Sequence, residues 1–172
     1  MTCRPVPVAL FRCLIVGMAV FAFGCGKDKG EVVHKAGDAE VTVKEGSDTV
    51  DITVKGEEGT TATYSSGAGV ELPSGFPKDV PTYPDMKLEF SGTQGNMYTI
   101  NGRTSDAMAK VTETMKAKAA SEGWSEVMTM SQPGAEGKPG MMMSYTKADR
   151  VLNLVLAAED DGTMISIMTG TQ

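Results

Sequence analysis

Apolar side chains recur at every second position in several short segments of this chain, and this spacing constrains the fold more than any other feature. Segments 50–54 and 86–90 alternate apolar with polar residues, and segment 152–156 carries leucine at every second position. Alternation of this kind places the apolar side chains on one face of a β-strand. Turn sequences such as Asp160-Asp161-Gly162 separate the segments. The sequence therefore predicts short antiparallel strands joined by hairpin turns.

Residues 85–172 are predicted to form a small α+β domain. Four apolar residues at helical spacing indicate one amphipathic helix within it, namely Met108, Val111, Met115 and Ala119. Six predicted strands surround this helix in the order ββαββββ. We expect an antiparallel β-sheet with the helix packed on one face.

The ends of the predicted helix carry common helix signals. Thr104 or Ser105 can cap the first turn, and Asp106 adds negative charge where the helix dipole favours it. Gly123 is suited to end the helix in the left-handed conformation. We expect Trp124 to begin the next strand and to cover the end of the helix.

Two segments precede the domain. Residues 39–65 are predicted to form a short β-meander, and residues 66–84 a Gly/Ser stretch followed by a proline-rich strap. The prolines favour an extended course, and Phe76, Val80 and Tyr83 are expected to clip the strap onto the domain. The alternative is a polyproline II ligand for a partner.

The first 24 residues are typical of an export signal. Arg4 and Arg12 make the start positive, and residues 13–24 form an apolar run of twelve residues. As a helix this run would span about 18 Å, well short of the roughly 30 Å hydrocarbon core of a bilayer. The run ends at Cys25, and the chain then becomes polar.

The junction Gly24-Cys25 after an apolar run resembles the signal peptide of bacterial lipoproteins. In that family the cysteine sulfur carries a diacylglycerol, and cleavage makes the cysteine the new N-terminus. The resemblance implies fatty acyl chains such as palmitate at Cys25, with residues 25–38 as a flexible tether. The chain would be exported and anchored in the cell envelope, at its periplasmic face or the cell surface. Soluble secretion after cleavage at Ala22-x-Gly24 and an uncleaved anchor are the alternatives.

The strap itself carries a second resemblance. Residues 72–84 read LPSGFPKDVPTYP, which is similar to an LPxxFPxDxPxYP segment of uncharacterised bacterial envelope proteins. In those proteins the segment leads into a small α+β domain. The resemblance implies a fold and an envelope setting, but no activity.

The charge of the chain excludes several partners. Removing residues 1–24 lowers the 16 basic residues by two, to 14, against 22 acidic ones, which gives a net charge of −8. Nucleic acids and anionic lipid surfaces both attract basic proteins, so neither is an expected partner.

Residues for common catalytic chemistry are sparse. After Cys25 the chain contains no further cysteine, and His34 is its only histidine. Nucleophile–histidine catalysis and phosphate-binding glycine loops are therefore not expected. We interpret His34 as solvated, and the acidic residues 159–161 as a solvated hairpin tip. The prediction is a protein that is not an enzyme and has no cofactor.

Methionine is the one unusual feature of the composition. Eleven of the 13 methionines lie between residues 86 and 168, including Met128, Met130 and the run 141–143. Thioethers favour Cu(I), so copper handling is one interpretation. The other is core packing, because methionines two apart on a strand share a face and fill irregular cores. Core packing is the interpretation we adopt.

These observations predict a membrane-anchored lipoprotein of the bacterial envelope that acts as a non-catalytic binding or structural module. Its partners would be the membrane, through Cys25, and an envelope protein. A Met-rich copper-handling exported protein and a soluble secreted protein are the alternatives.

The mature N-terminus provides a direct test. Mass spectrometry should find an acyl-modified peptide that begins at Cys25. The native protein should also enter the detergent phase on phase partitioning. A free Cys25 thiol in protein that stays in the aqueous phase would contradict the lipid anchor.

Overall fold

A computed structural model describes residues 30–36, 39–56 and 60–171, in which ten strands and one helix form. The strands are β1 Glu31–Ala36, β2 Ala39–Glu45, β3 Thr49–Lys55, β4 Thr61–Gly67, β5 Lys87–Gln94, β6 Met97–Thr104, β7 Ser125–Pro133, β8 Pro139–Lys147, β9 Arg150–Glu159 and β10 Gly162–Thr171. The helix, α1, is Met108–Ser121, and a 3-10 turn, Ala135–Gly137, lies between β7 and β8. Within these ranges no helix has the length and apolar character needed to cross a membrane.

All ten strands join one antiparallel sheet. Their order across the sheet is β1-β2-β3-β4-β5-β6-β10-β9-β8-β7. The first six strands follow the chain as a meander, and α1 then carries the chain from β6 to β7 at the far edge. Strands β7 to β10 return toward the middle, where β10 pairs with β6.

The prediction of an α+β fold, in ββαββββ order preceded by a short β-meander, is wrong. The structure is β-rich, with one short helix in the described residues and ten strands in one sheet. Strand β4, the last of the meander, pairs with β5 through Ala62↔Gln94 and Ser66↔Phe90. The alternation within each segment predicts strands, but it carries no information on which strand edges pair, so the sequence does not decide whether the meander joins the sheet of the domain.

Strand β1 lies within residues 25–38, the segment interpreted as a flexible tether. Val32 lies opposite Val43 and His34 lies opposite Val41 on β2. The edge of β2 supplies the hydrogen-bonding partner that makes this polar segment a strand. Residues 26–30 alone then separate Cys25 from the sheet. Cys25 and the rest of residues 1–29 lie outside the described residues.

The start of α1 differs from the prediction. The helix begins at Met108, and Ala107 occupies the N-cap position without a side-chain hydrogen bond to the helix. Neither Thr104, which is the last residue of β6, nor Ser105 occupies the N-cap position. Asp106 lies before the first turn, and the hydroxyl of Thr163 on β10 donates to its carbonyl at 2.7 Å. Tertiary contacts therefore fix the entry to α1 in place of a local cap.

The end of α1 confirms the prediction that Gly123 terminates the helix in the left-handed conformation. Gly123 has a φ of +80°, which is left-handed. Its amide donates to the carbonyl of Ala120, and the amide of Trp124 donates to the carbonyl of Ala119 at 2.9 Å. These two bonds form a Schellman motif, which satisfies the last carbonyls of the helix. Trp124 is buried beside the helix end.

The core lies between α1 and one face of the sheet. Val111, Met115 and Ala119 are fully buried, which confirms the predicted apolar stripe. They pack with buried side chains of β6, β8, β9 and β10, namely Ile100, Met143, Leu152, Leu154, Leu156, Ile165 and Ile167. Val80 and Tyr83 join the same core and Phe76 packs against it, so the strap is clipped onto the sheet as predicted.

Methionines provide a matched test of this core. Met115→Ala removes a side chain with 0% exposure, so it should lower the free energy of unfolding by about 2–5 kcal/mol. Met97→Ala changes a side chain that is 44% exposed, and its effect should stay within about 0.5 kcal/mol. Urea denaturation measures both. Equal effects of the two substitutions would contradict the burial assigned to α1.

Candidate functional site

The two faces of the sheet have different surroundings. Side chains of residues paired across antiparallel strands lie on the same face. On this basis α1 and the strap pack on one side, called the covered face, which carries Leu154 and Ile167. The opposite side, called the open face, carries the residues between them in each strand, such as Val155 and Met168.

Strands β1–β3 form one half of the open face, which we call the valine half. Its members are Val32, Val41, Val43, Val50, Ile52 and Val54. The other face of the same strands is charged, since Glu40 pairs with Lys35 at 3.6 Å and with Lys55 at 3.5 Å. This part of the sheet is therefore amphipathic, with 48% of Val32 exposed.

An aromatic pair continues the valine half toward the middle of the sheet. Tyr64 on β4 and Phe90 on β5 stack with ring centroids 6.2 Å apart. Gly92 lies opposite Tyr64, and a Cβ added there would approach the Tyr64 ring to 2.8 Å. Glycine at this position lets the ring lie flat on the sheet. Beside it, Asn101 Oδ1 is buried and has no hydrogen-bond partner among the described residues.

Strands β6–β10 form the second half of the open face, which we call the methionine half. Its members are Met97, Met128, Met130, Met142, Met164 and Met168. Four of them are markedly exposed: Met97 by 44%, Met130 by 43%, and Met128 and Met168 by 39% each. Large exposed apolar patches of this kind mark sites of interaction in soluble proteins.

The prediction that Met128 and Met130 pack in the core is wrong. Glu126 lies opposite the buried Tyr145, but Met128 lies opposite Ser144 because the register shifts between Glu126 and Met128. This β-bulge moves every later side chain of β7 to the other face. The adjacent apolar pair Val127-Met128 breaks the alternation and is the sequence signal of the bulge.

The run 141–143 is divided between the faces. Met143 is fully buried in the core, and Met141 packs against it, as the core-packing interpretation expects. Met142 points to the open face and lies directly opposite Met130 on β7. The structure therefore brings together three of the methionines singled out in the sequence: Met128, Met130 and Met142.

A network of part-buried hydrogen bonds holds the strap on the sheet, and the sequence pattern does not predict it. The Asp79 carboxylate accepts hydrogen bonds from both terminal nitrogens of Arg150 and from Lys147 Nζ at 2.6 Å. The indole of Trp124 donates to the Asp79 carbonyl at 2.7 Å, and the Arg150 guanidinium lies 5.0 Å from its ring centroid. Arg150 chiefly lowers the pKa of Asp79 through its hydrogen bonds. Asp79 and Arg150 are 71 positions apart, so no local pattern indicates their contact.

A charged cleft lies beside α1. Tyr83 donates to Asp106 at 2.6 Å, and Lys110 Nζ lies 2.8 Å from the same carboxylate. Lys110, and then Tyr83, lower the pKa of Asp106, whereas Asp106 raises the pKa of Tyr83. Both shifts move the pKa of the group further from neutral pH, so at neutral pH Asp106 stays ionised and Tyr83 stays protonated. The geometry is that of an ion pair and a satisfied phenol, which makes Asp106 a weak base.

The remaining candidates from the sequence are exposed or paired. His34 is exposed on β1. In the acidic segment 159–161, Glu159 pairs with Arg103 at 2.7 Å and Asp160 with Lys138 at 2.9 Å. Within residues 30–36, 39–56 and 60–171, no three His, Cys, Asp or Glu side chains come together as a metal site.

Comparisons of the chain with protein-family models, with curated proteins and with solved structures find no match.

The Asp79 network predicts a pH-dependent contribution to stability. Asp79→Asn should lower the free energy of unfolding by about 1.5–3 kcal/mol at neutral pH, because it removes charge-assisted hydrogen bonds. The folded-state pKa of Asp79 lies below its unfolded value. The difference from wild type should therefore be complete above about pH 4 and shrink as the pH falls further.

Denaturant unfolding at a series of pH values measures this difference. Asp149→Asn is the matched control, because Asp149 lies next to Arg150 in the sequence but is exposed on a turn. A difference between wild type and Asp79→Asn that does not change between pH 7 and pH 3 would contradict the proposed ionic network.

Proposed function

We propose that the chain is a non-catalytic binding module of the bacterial envelope that a lipid on Cys25 tethers to a membrane. This module binds another envelope protein through the valine half of its open face. The observation that carries the binding role is the apolar face of β1–β3, which is on the side of the sheet that does not carry α1 and the strap. The residues of the leader support the location.

The position of β1 supports a binding surface close to the membrane. Glu31 begins β1 six residues after Cys25. Even a fully extended chain covers at most about 20 Å over that interval. A lipid on Cys25 would therefore keep the valine half near the membrane surface, where it meets proteins that lie in or on the same membrane.

The chemistry of the valine half defines the partner. Its central side chains are aliphatic. The charges of the same strands, such as Lys44 and Asp51, lie on the other face, except for Glu45 at the end of β2, which lies opposite Val50. Such a face pairs with an apolar, uncharged surface.

Charge favours a different protein over a second copy of this chain. Without residues 1–24 each copy carries a net charge of −8, as derived above. Two such bodies repel each other when their faces meet, and high net charge keeps proteins monomeric. We therefore commit to a heterologous partner that has an apolar surface and lower net charge.

Site-specific photo-crosslinking in the producing bacterium tests this proposal. A photoreactive residue in place of Ile52, on the valine half, should give one discrete adduct with an envelope protein identified by mass spectrometry. The same residue in place of Thr53, which lies on the opposite face, should give none.

Charge substitutions provide the matched control. Val43 lies opposite Ile52, so the substitution Val43→Asp should abolish the adduct that forms from position 52. Thr42 lies opposite Thr53 on the other face, so Thr42→Asp should leave that adduct intact. An adduct of twice the chain mass would identify a second copy as the partner and overturn the proposal. Equal adducts from both positions, or none from Ile52, would also overturn it.

A further inference from the structure

We infer that Met128, Met130 and Met142 form a Cu(I)-binding site on the open face, at the edge of the sheet made by β7 and β8. The inference is independent of the proposed binding role, because this edge is the opposite one from β1. It rests on the bulge that turns two methionines of β7 outward, next to a third on β8.

The register brings the three thioethers within reach of one ion. Met130 and Met142 are directly opposite each other, which places their Cβ atoms about 4.5–5.5 Å apart. Met128 is two residues from Met130 on the same strand, so it lies on the same face about 7 Å away. Each methionine has three rotatable bonds beyond its Cα, so the three sulfur atoms can converge on a point between them.

The side chains are free to move to that position. Met128 and Met130 are 39% and 43% exposed, and Met142 is partly exposed. By contrast, Met115 and Met143 are fully buried in the core, where ligation would require unpacking. The site is therefore formed at the surface and needs rotamer changes alone.

The neighbours of the cluster are neutral. The residue opposite Met128 is Ser144, whose hydroxyl donates to Asn153 Oδ1 at 2.7 Å on the same face. The residue after the cluster on this face of β7 is Gln132. Lys138, on the connection to β8, is held by Asp160 at 2.9 Å. A monovalent cation therefore meets little repulsion at this edge.

The donor set selects a soft ion. Thioether sulfur is a soft, uncharged ligand that favours Cu(I), whereas Zn²⁺, Mg²⁺ and Ca²⁺ need thiolate, imidazole or oxygen ligands. Three thioethers without a carboxylate or an imidazole therefore suit Cu(I) and leave divalent ions weakly bound.

Competitive titration of Cu(I) under anaerobic conditions tests the site. The full chain is used, with its cysteines first capped by N-ethylmaleimide so that thiols do not bind the metal. In competition with acetonitrile, a weak Cu(I) ligand, one Cu(I) per chain should bind with a dissociation constant below about 1 μM. Met130→Leu and Met142→Leu should each weaken binding by about tenfold or more.

Two other methionines provide the matched controls. Met97 and Met168 are as exposed as Met130 and Met128 and lie on the same face of the sheet. They are on β6 and β10, away from the cluster. Met97→Leu and Met168→Leu should leave Cu(I) affinity within about twofold of wild type. Leucine preserves size and apolarity, so thermal melting of all four variants should stay close to that of wild type.

Methyl NMR of the methionines provides a second measurement. One equivalent of Cu(I) should shift the methyl signals of Met128, Met130 and Met142 and leave those of Met115 and Met143 in place. Absence of binding below 1 μM would overturn the site. An equal loss of affinity in the Met97→Leu and Met168→Leu variants would overturn it too.

Discussion

In the described part of the chain one helix, α1, of 14 residues lies on a sheet of ten strands, and this mismatch determines the rest of the structure. The helix is about 21 Å long, whereas ten strands span about 43 Å across the sheet. The helix and the strap together protect one face near β6 to β10. The other face keeps its apolar side chains without cover from either, and the proposed binding surface and metal site both lie there.

The strap completes the covered face because ionic and aromatic contacts hold it in place. Asp79 binds Arg150 and Lys147, and both cations lie over the ring of Trp124. The backbone amide of Trp124 also donates one of the two hydrogen bonds of the Schellman motif that ends α1. The end of the helix, the strap and the β8–β9 turn therefore meet at one point. Without this contact the proline-rich segment, which donates few backbone hydrogen bonds, would have little to hold it on the sheet.

The two halves of the open face suit different chemistry because their side chains differ. Branched aliphatic side chains such as Val43 and Ile52 have few rotamers and present a stiff apolar surface, which suits a protein partner of matching shape. Methionines such as Met130 and Met142 are flexible and carry a soft donor atom, which suits a metal ion or an adaptable contact. The two proposals therefore use opposite edges of one sheet and fail independently.

The sequence by itself determined strands β2 to β10, the apolar stripe of α1, the glycine that ends it and the residues that clip the strap, because each depends on spacing over a few residues. It did not determine that β4 pairs with β5, that β1 forms on the edge of β2, or that Asp79 meets Arg150, because these contacts join distant parts of the chain. The bulge after Glu126 is the clearest case. One extra residue in β7 moves both Met128 and Met130 from the covered face to the open face. Strand pairing in the folded sheet, rather than alternation in the sequence, decides on which face the side chains of a bulged strand lie.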